Sequence, residues 1–361
     1  MPIPILRGDG GGSMKFAEVL EIKNGKNQKQ VEDADGKYPI YGSGGIMGRA
    51  TDYICPAETV IIGRKGTINN PIYVDTPFWN VDTAFGLVAD KNILLPKYLY
   101  YFCKHFDFLA LNTTVTIPSL TKANLLKIDI PVPNMDDQQY VVRVLDDVEN
   151  LIEIKTNEKF ELDNLVKSRF IEMYMNEQNV VRLDDLIVPY RAERCGNKTY
   201  PVLSITMHNG LVLQSERFKK EIASSDKSQY KVVPRNKLVV AFPIDEGLLS
   251  AQTIVDVGIV SPAYNLYDID ENKIFPCVLE YILRSDMSIQ YYKSKLRGTT
   301  LRRRMIPKSD FDSMPIRLPS IKRQSQFLNE VKEVDKLKLA AQETLNELEI
   351  LKKSLMQKYF G

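Results

Sequence analysis

The feature that most constrains this chain is that it repeats itself once. Shifting the sequence by 186 positions lays residues 113–175 on 299–361 without a gap, and thirteen of the 63 pairs are identical. They are Thr113/Thr299, Thr114/Thr300, Lys122/Lys308, Ile130/Ile316, Pro133/Pro319, Gln138/Gln324, Val148/Val334, Leu151/Leu337, Glu161/Glu347, Leu162/Leu348, Leu165/Leu351, Lys167/Lys353 and Ser168/Ser354. Each copy carries a strand-like stretch closed by proline ("KIDIPVP", "SMPIRLP"), then a long segment without Pro or Gly. These segments run from about Asp136 to Asn176 and from about Lys322 to Tyr359. Their apolar residues, such as Val141, Val144, Val148 and Leu151, or Phe327, Val331, Val334 and Leu337, mix spacings of three and four. That is the period of a helix with a seam narrow enough for coiled-coil packing. At 1.5 Å per residue each helix is roughly 55 Å long, too long for the interior of a small domain. Most simply, the two pack on each other.

Upstream of each helix the pattern changes to short strands broken by Gly, Asn and Pro. The first half has "TVIIGRKGT", "NPIYVD" and "TAFGLVAD", then a helical "PKYLYYFCKHF". The second has "NKLVVAFP", "TIVDVGIV" and "AYNLYDID", then "PCVLEYILRSDM". The expected class is therefore α+β. Two globules of small mixed sheets and helices occupy 14–135 and 178–320, and long helices occupy 136–177 and 321–361. Residues 1–13, "MPIPILRGDGGGS", end in a Gly-Ser run and read as the remnant of a tag or linker.

Charge decides little here. Lys and Arg number 48 against 46 Asp and Glu, so any grip on a polyanion must be local. No apolar run approaches the roughly 20 residues that span a bilayer. The four cysteines lie far apart without a CxxC, and only two histidines exist. Reduced core thiols, no zinc site and a cytoplasmic location are expected.

Several short stretches could carry chemistry. "GSGGIMGR" (42–49) and "GRKGT" (63–67) are Gly-rich turns bearing Ser43, Gly44, Arg49, Arg64 and Lys65. Neither has the spacing of a P-loop. Glycines let a backbone approach phosphates, while Arg and Lys reach phosphate oxygens or guanine edges; the alternative is a pair of ordinary hairpin turns with solvated charges. Asn69 and Asn70 could pair with adenine, though Asn is also a routine turn residue. "NNPIY" (69–73) lacks the second proline of an adenine-methyltransferase motif, and no strand leads into a loop for a methyl donor. "EIK" lacks the upstream Pro-Asp of a metal-dependent nuclease. Catalytic residues and metal ligands are therefore not expected in this chain.

In the second half, Lys219, Lys220 and Lys227 lie among polar residues in "ERFKKEIASSDKSQYK", fit for a DNA backbone or for plain solvent. "LRGTTLRRRMIP" (296–307) aligns with "ALNTTVTIPSLT" (110–121). Thr113, Thr114, Thr299 and Thr300, with Lys122 and Lys308, are thus backbone-contact candidates common to both halves. Arg297, Arg302, Arg303 and Arg304 belong to the second half alone. If the last three read bases, changing them relaxes one half of a target only.

"KYPIYGSGGIMGRATDYI", "TVIIGRKGT", "PFWNVDTAFGL" and "LTKANLLKIDIPVPNMDDQQ", in that order, resemble a target recognition domain of type I restriction–modification specificity subunits. The second half resembles the family more loosely, through "YPVLSITMHNGLV", "KVVPRNKLVVAF", "GIVSPAYNLYDI" and "IRLPSIKRQ". The resemblance implies two recognition domains held apart by an antiparallel helix pair. Each domain would read one half of a split double-stranded DNA target, and two adenine-N6 methyltransferase subunits would dock on the helices. Restriction subunits would join through them. It also implies a non-catalytic chain, with S-adenosylmethionine held by the partner methyltransferase. From the residues alone, a coiled-coil scaffold whose globules bind protein or other ligands stays open; its binding would be insensitive to salt, unlike phosphate neutralisation.

Overall fold

The computed structural model describes residues 12–111, 119–207, 209–217, 226–296 and 306–361. The chain divides into two compact units. One comprises the residues up to Glu158 together with Ala340–Gly361; the other is Lys159–Leu339. Both long helices therefore contribute to both units.

In the first unit, β1 (Ser13–Lys15), α1 (Phe16–Val19) and β2 (Leu20–Asn24) are followed by a hairpin of β3 (Tyr38–Gly42) and β4 (Gly45–Ala50). Then come β5 (Thr59–Gly63), β6 (Ile72–Val74), β7 (Trp79–Asn80), β8 (Ala84–Ala89), α2 (Pro96–His105), α3 (Lys122–Leu125) and β9 (Asp129–Pro131). The main sheet has the order β2-β8-β5-β6. Its strand β5 is buried along its whole length, which explains why "TVIIG" shows no polar alternation. β1 pairs with β9 from Ser13 onward; Ser13, assigned to the linker by its Gly-Ser context, is the first residue of a strand. Trp79 is in the core, its indole N–H donating to the Lys26 carbonyl at 3.0 Å.

The long helix α4 (Met135–Met175) leaves this unit, and the second unit opens with β10 (Val180–Arg182) and β11 (Ile187–Pro189). A hairpin of β12 (Leu203–Thr206) and β13 (Gly210–Leu213) leads into the short α5 (Gln214–Arg217). β14 (Lys231–Pro234), β15 (Leu238–Val240), β16 (Leu249–Ala251), β17 (Val257–Val260) and β18 (Asn265–Ile269) follow. Then come α6 (Pro276–Leu283), α7 (Asp286–Lys295), α8 (Lys308–Asp312), β19 (Pro315–Arg317) and the long α9 (Ile321–Phe360). The main sheet here is β11-β18-β15-β16, and β10 pairs with β19. The main sheet and the pair of outer strands repeat the plan of the first unit, while the three-stranded β4-β3-β7 sheet there gives way to two pairs, β12-β13 and β14-β17. The duplication thus extends to the main sheets of globules whose sequences have diverged. The helical run after "NKIF" is two helices, α6 and α7, separated at Arg284–Ser285, where the Ser285 hydroxyl caps the second.

The long helices begin alike. Asn134 accepts the Asp137 N–H at 2.9 Å and Ser320 accepts the Arg323 N–H at 3.4 Å, both as side-chain caps. At 41 and 40 residues each is about 60 Å long. Within the first unit Val141, Leu145 and Val148 of α4 share a core with Leu355, Met356 and Tyr359 of α9. Within the second, Phe170, Met173 and Tyr174 of α4 share one with Phe327 of α9. In each unit the start of one helix meets the end of the other, an antiparallel pairing. The seam is not continuous: Leu151, Leu165, Leu337 and Leu351 are 47%, 43%, 54% and 41% exposed. Periodicity alone does not distinguish an apolar residue facing the partner helix from one left on the surface. Among the described residues, no helix is long and apolar enough to cross a membrane.

Candidate nucleic-acid interface

The first unit gathers its Gly-rich turns. Ser43 and Gly44 form the tip of the β3–β4 hairpin, followed by Gly45 at a φ of +122°. Gly63 ends β5, and a Cβ there would lie 1.9 Å from the Thr67 carbonyl oxygen and 3.1 Å from the Ser43 Cβ. Only glycine lets the two turns approach this closely. Gly66, at φ +78°, closes the loop. The loop's backbone is anchored: the Arg64 N–H donates to the Thr83 carbonyl at 2.8 Å, and the Arg64 carbonyl accepts from the Leu120 N–H at 2.9 Å. Its side chains are not covered. Arg64 and Lys65 are exposed, and the Arg64 guanidinium lies 5.8 Å from the Phe85 ring centre, a cation–π distance. The exposed Gly44, Arg64 and Lys65, with the half-buried Ser43 where the two turns meet, thus sit on a rigid base suited to an anionic backbone.

Other candidates are committed within the fold. Arg49 donates from Nε to the Gly36 carbonyl at 2.6 Å and from Nη2 to the Lys37 carbonyl at 3.0 Å, bracing its own hairpin. The Asn69 amide donates to Asp107 at 2.6 Å, while Asn70 is exposed. The Lys122 ammonium donates to the Ile22 carbonyl at 2.9 Å. Its repeat partner Lys308 instead pairs with Asp312, so one identity serves two local purposes. Lys227 is half-buried in the turn before β14, its carbonyl accepting the Tyr230 N–H. Thr113, Thr114, Lys219, Lys220, Arg297, Thr299, Thr300, Arg302, Arg303 and Arg304 lie outside the described residues.

Sequence reasoning missed the polar residues that support these surfaces. Glu149 receives Lys352 at 2.8 Å and Lys104 at 3.3 Å. Burial opposes its charge, but the ion-pair hydrogen bonds from Lys352 and Lys104 outweigh it and hold the carboxyl below its usual range. Glu280 plays a comparable part in the second unit. It accepts from Ser250 Oγ, the Ala251 N–H and Arg284, each at 2.9 Å, and Arg284 also donates to the Met207 carbonyl at 2.7 Å beside the β12–β13 tip. The signal was weak, since Glu and Lys on helices are ordinarily surface residues. Cys55, Cys103 and Cys195 are buried and Cys277 half-buried, all as free thiols. Burial pushes the Cys55 thiol up to about 12. No group of three or more His, Cys, Asp or Glu suited to a metal occurs among the described residues.

The model of the type I restriction modification DNA specificity domain matches residues 12–164, which span the first globule and the first part of α4. A type I restriction enzyme specificity subunit of Methanocaldococcus jannaschii is 25% identical, over 81% of this chain and 76% of that protein. The chain is thus similar to type I restriction–modification specificity subunits, through the family model over its first part and through a relative over most of its length. A putative specificity subunit of Haemophilus influenzae is 26% identical over 38% of this chain, a match covering 37% of that protein. The fold is similar to the type I S subunit from M. genitalium, with a TM-score of 0.58 over 99% of this chain and 98% of that one at 13% identity. It is similar at 0.61, over 99% of both chains and 12% identity, to a chain from a study of complex assembly in a type I system.

Proposed function

We propose that this chain is a type I specificity subunit that reads a bipartite double-stranded DNA target, one half-site per globular unit, and carries two adenine-N6 methyltransferase subunits on its long helices. The observation that carries this is the duplicated plan: main sheets ordered β2-β8-β5-β6 and β11-β18-β15-β16, on helices of 41 and 40 residues. Equal scaffolds with divergent globules suit two different half-sites, as identical halves suit a palindrome. The turn cluster of half-buried Ser43 and exposed Gly44, Arg64 and Lys65 supports the first unit's contact with phosphates and base edges.

Docking of two copies of one partner is supported by the leucines that are both repeated and exposed. Leu151 and Leu337 are identical and 47% and 54% exposed; Leu165 and Leu351 are identical and 43% and 41% exposed. Each unit holds one member of each pair, so each can offer a partner the same residues. The methyltransferase would bring S-adenosylmethionine, restriction subunits would join through it, and the assembly would act on chromosomal DNA in the cytoplasm. Mapping methylated adenines across the genome of a host carrying this chain and its methyltransferase tests the reading. A split motif with two constant halves is expected; a continuous motif, or none, overturns it.

A further inference from the structure

Strand β4 breaks the alternation that its hairpin should impose. Neighbouring side chains of a strand leave by opposite faces, so one of Ile46 and Met47 should be covered. Both are instead exposed, at 66% and 63%. The register gives the reason: Ile40 pairs with Gly48 while Tyr41 pairs with Ile46, leaving Met47 as the extra residue of a β-bulge. Bulges re-aim side chains and concentrate beside functional sites. A Cβ at Gly42 would lie 2.6 Å from the Met47 sulfur, and the adjoining Ser43 abuts Gly63 at the head of the Arg64–Lys65 loop. Two large apolar side chains are therefore exposed on a hairpin whose tip abuts the turn that carries Arg64 and Lys65. Scattered single exposures need no explanation; a bulge that exposes a pair at this place does.

We propose that Ile46 and Met47 are specificity-determining residues that make apolar contact with thymine 5-methyl groups in the half-site read by the first unit. The inference rests on the DNA-reading assignment above. The 5-methyl group is the apolar feature of a T·A pair's major-groove edge and carries its identity without a hydrogen bond. The neighbouring Arg64 and Lys65 complement the phosphates that flank any such edge, and this favours DNA over an apolar protein surface as the occupant.

The test uses the full chain in complex with its methyltransferase subunits and duplexes carrying the mapped target. Each thymine of the first unit's half-site is replaced in turn by uracil, which removes the methyl group alone. At one or more positions the wild-type complex should bind the uracil duplex about fourfold more weakly, the worth of one buried methyl. The double variant I46A/M47A should bind thymine and uracil duplexes equally, whereas I46L/M47L should keep the preference. A half-site without thymine, indifference of the wild type to uracil at every position, or an unchanged uracil penalty in I46A/M47A each overturns the proposal. Failure of the DNA-reading assignment looks different: the wild-type complex then distinguishes no sequence at all. The uracil series on wild-type protein decides the matter even if the double variant does not fold.

Discussion

The side-chain carbonyl of Gln138 accepts the backbone N–H of Leu95 at 2.8 Å, while its amide donates to the Ile93 and Pro133 carbonyls at 2.9 Å each. Leu95 caps α2 and Gln138 lies in the first turns of α4, so one buried amide ties the globule's helix to the long one. Gln324 does the same in the second unit, accepting from Phe275 and donating to Lys273 and Pro319. Both glutamines are 0% exposed. This is why Gln survives in both copies of the repeat where most positions have diverged.

Replacing either glutamine by leucine leaves one buried N–H and two carbonyls without partners. At about 1–3 kcal/mol for each unsatisfied group, Gln138→Leu should destabilise the first unit by several kcal/mol, and Gln324→Leu the second. Because the chain has two units, a single unfolding midpoint is a poor readout. Hydrogen exchange resolved by unit is the measurement, and loss of protection in the altered unit only is the expected result.

Glu149 makes the first unit sensitive to acid. Its folded carboxyl titrates below the ordinary Glu range, so its contribution is complete above that range and is lost as pH falls through the lower folded value. Lys352→Met should weaken the first unit by about 1 kcal/mol at pH 7, and the gap between wild type and variant should narrow as acid protonates the Glu149 carboxyl. A difference that stays constant throughout the acid titration would contradict the ion-pair account.

Gly63 and Gly44 lie in adjoining turns but differ in the room around them. Gly63→Ala drives a Cβ into the Thr67 carbonyl and should cost about 1–3 kcal/mol or more, whereas Gly44 has no heavy atom within 4 Å of an added Cβ. Gly44→Ala should change stability by less than about 0.5 kcal/mol. Thermal unfolding of the two variants checks the contrast.

Arg49 and Arg64 separate bracing from binding. Arg64→Ala and Lys65→Ala should each lower the slope of log affinity against log salt by about 1, uniformly across sequences if they meet phosphates. Arg49→Met, which removes two hydrogen bonds to loop carbonyls, should reduce stability and leave that slope unchanged. Titrations on one duplex at three or more salt concentrations distinguish the cases.

The long helices were legible to within a residue or so at most ends, because periodicity and the lack of Pro and Gly are local properties. The strands around "TVIIG" and "TAFGL" were legible because they too are short-range patterns. The hairpin bulge was not, since register is a relation between two strands. Nor was the role of Arg49, whose acceptors at Gly36 and Lys37 are reached only after the chain has turned back on itself.

The sequence by itself determined the duplication, the two long helices and the α+β class of each half, all written in repeats and short-range periodicity. Tertiary structure alone decided that diverged globules share one sheet order, that a repeated glutamine is a buried clamp, and that repeated leucines remain in water. It also sorted the exposed basic residues, tying Arg49 and Lys122 to backbone carbonyls of their own unit and leaving Arg64 and Lys65 on the turn cluster. The physical reason is that a side chain's hydrogen-bond partners and exposure depend on chain segments far away in sequence, which only the folded chain brings within reach.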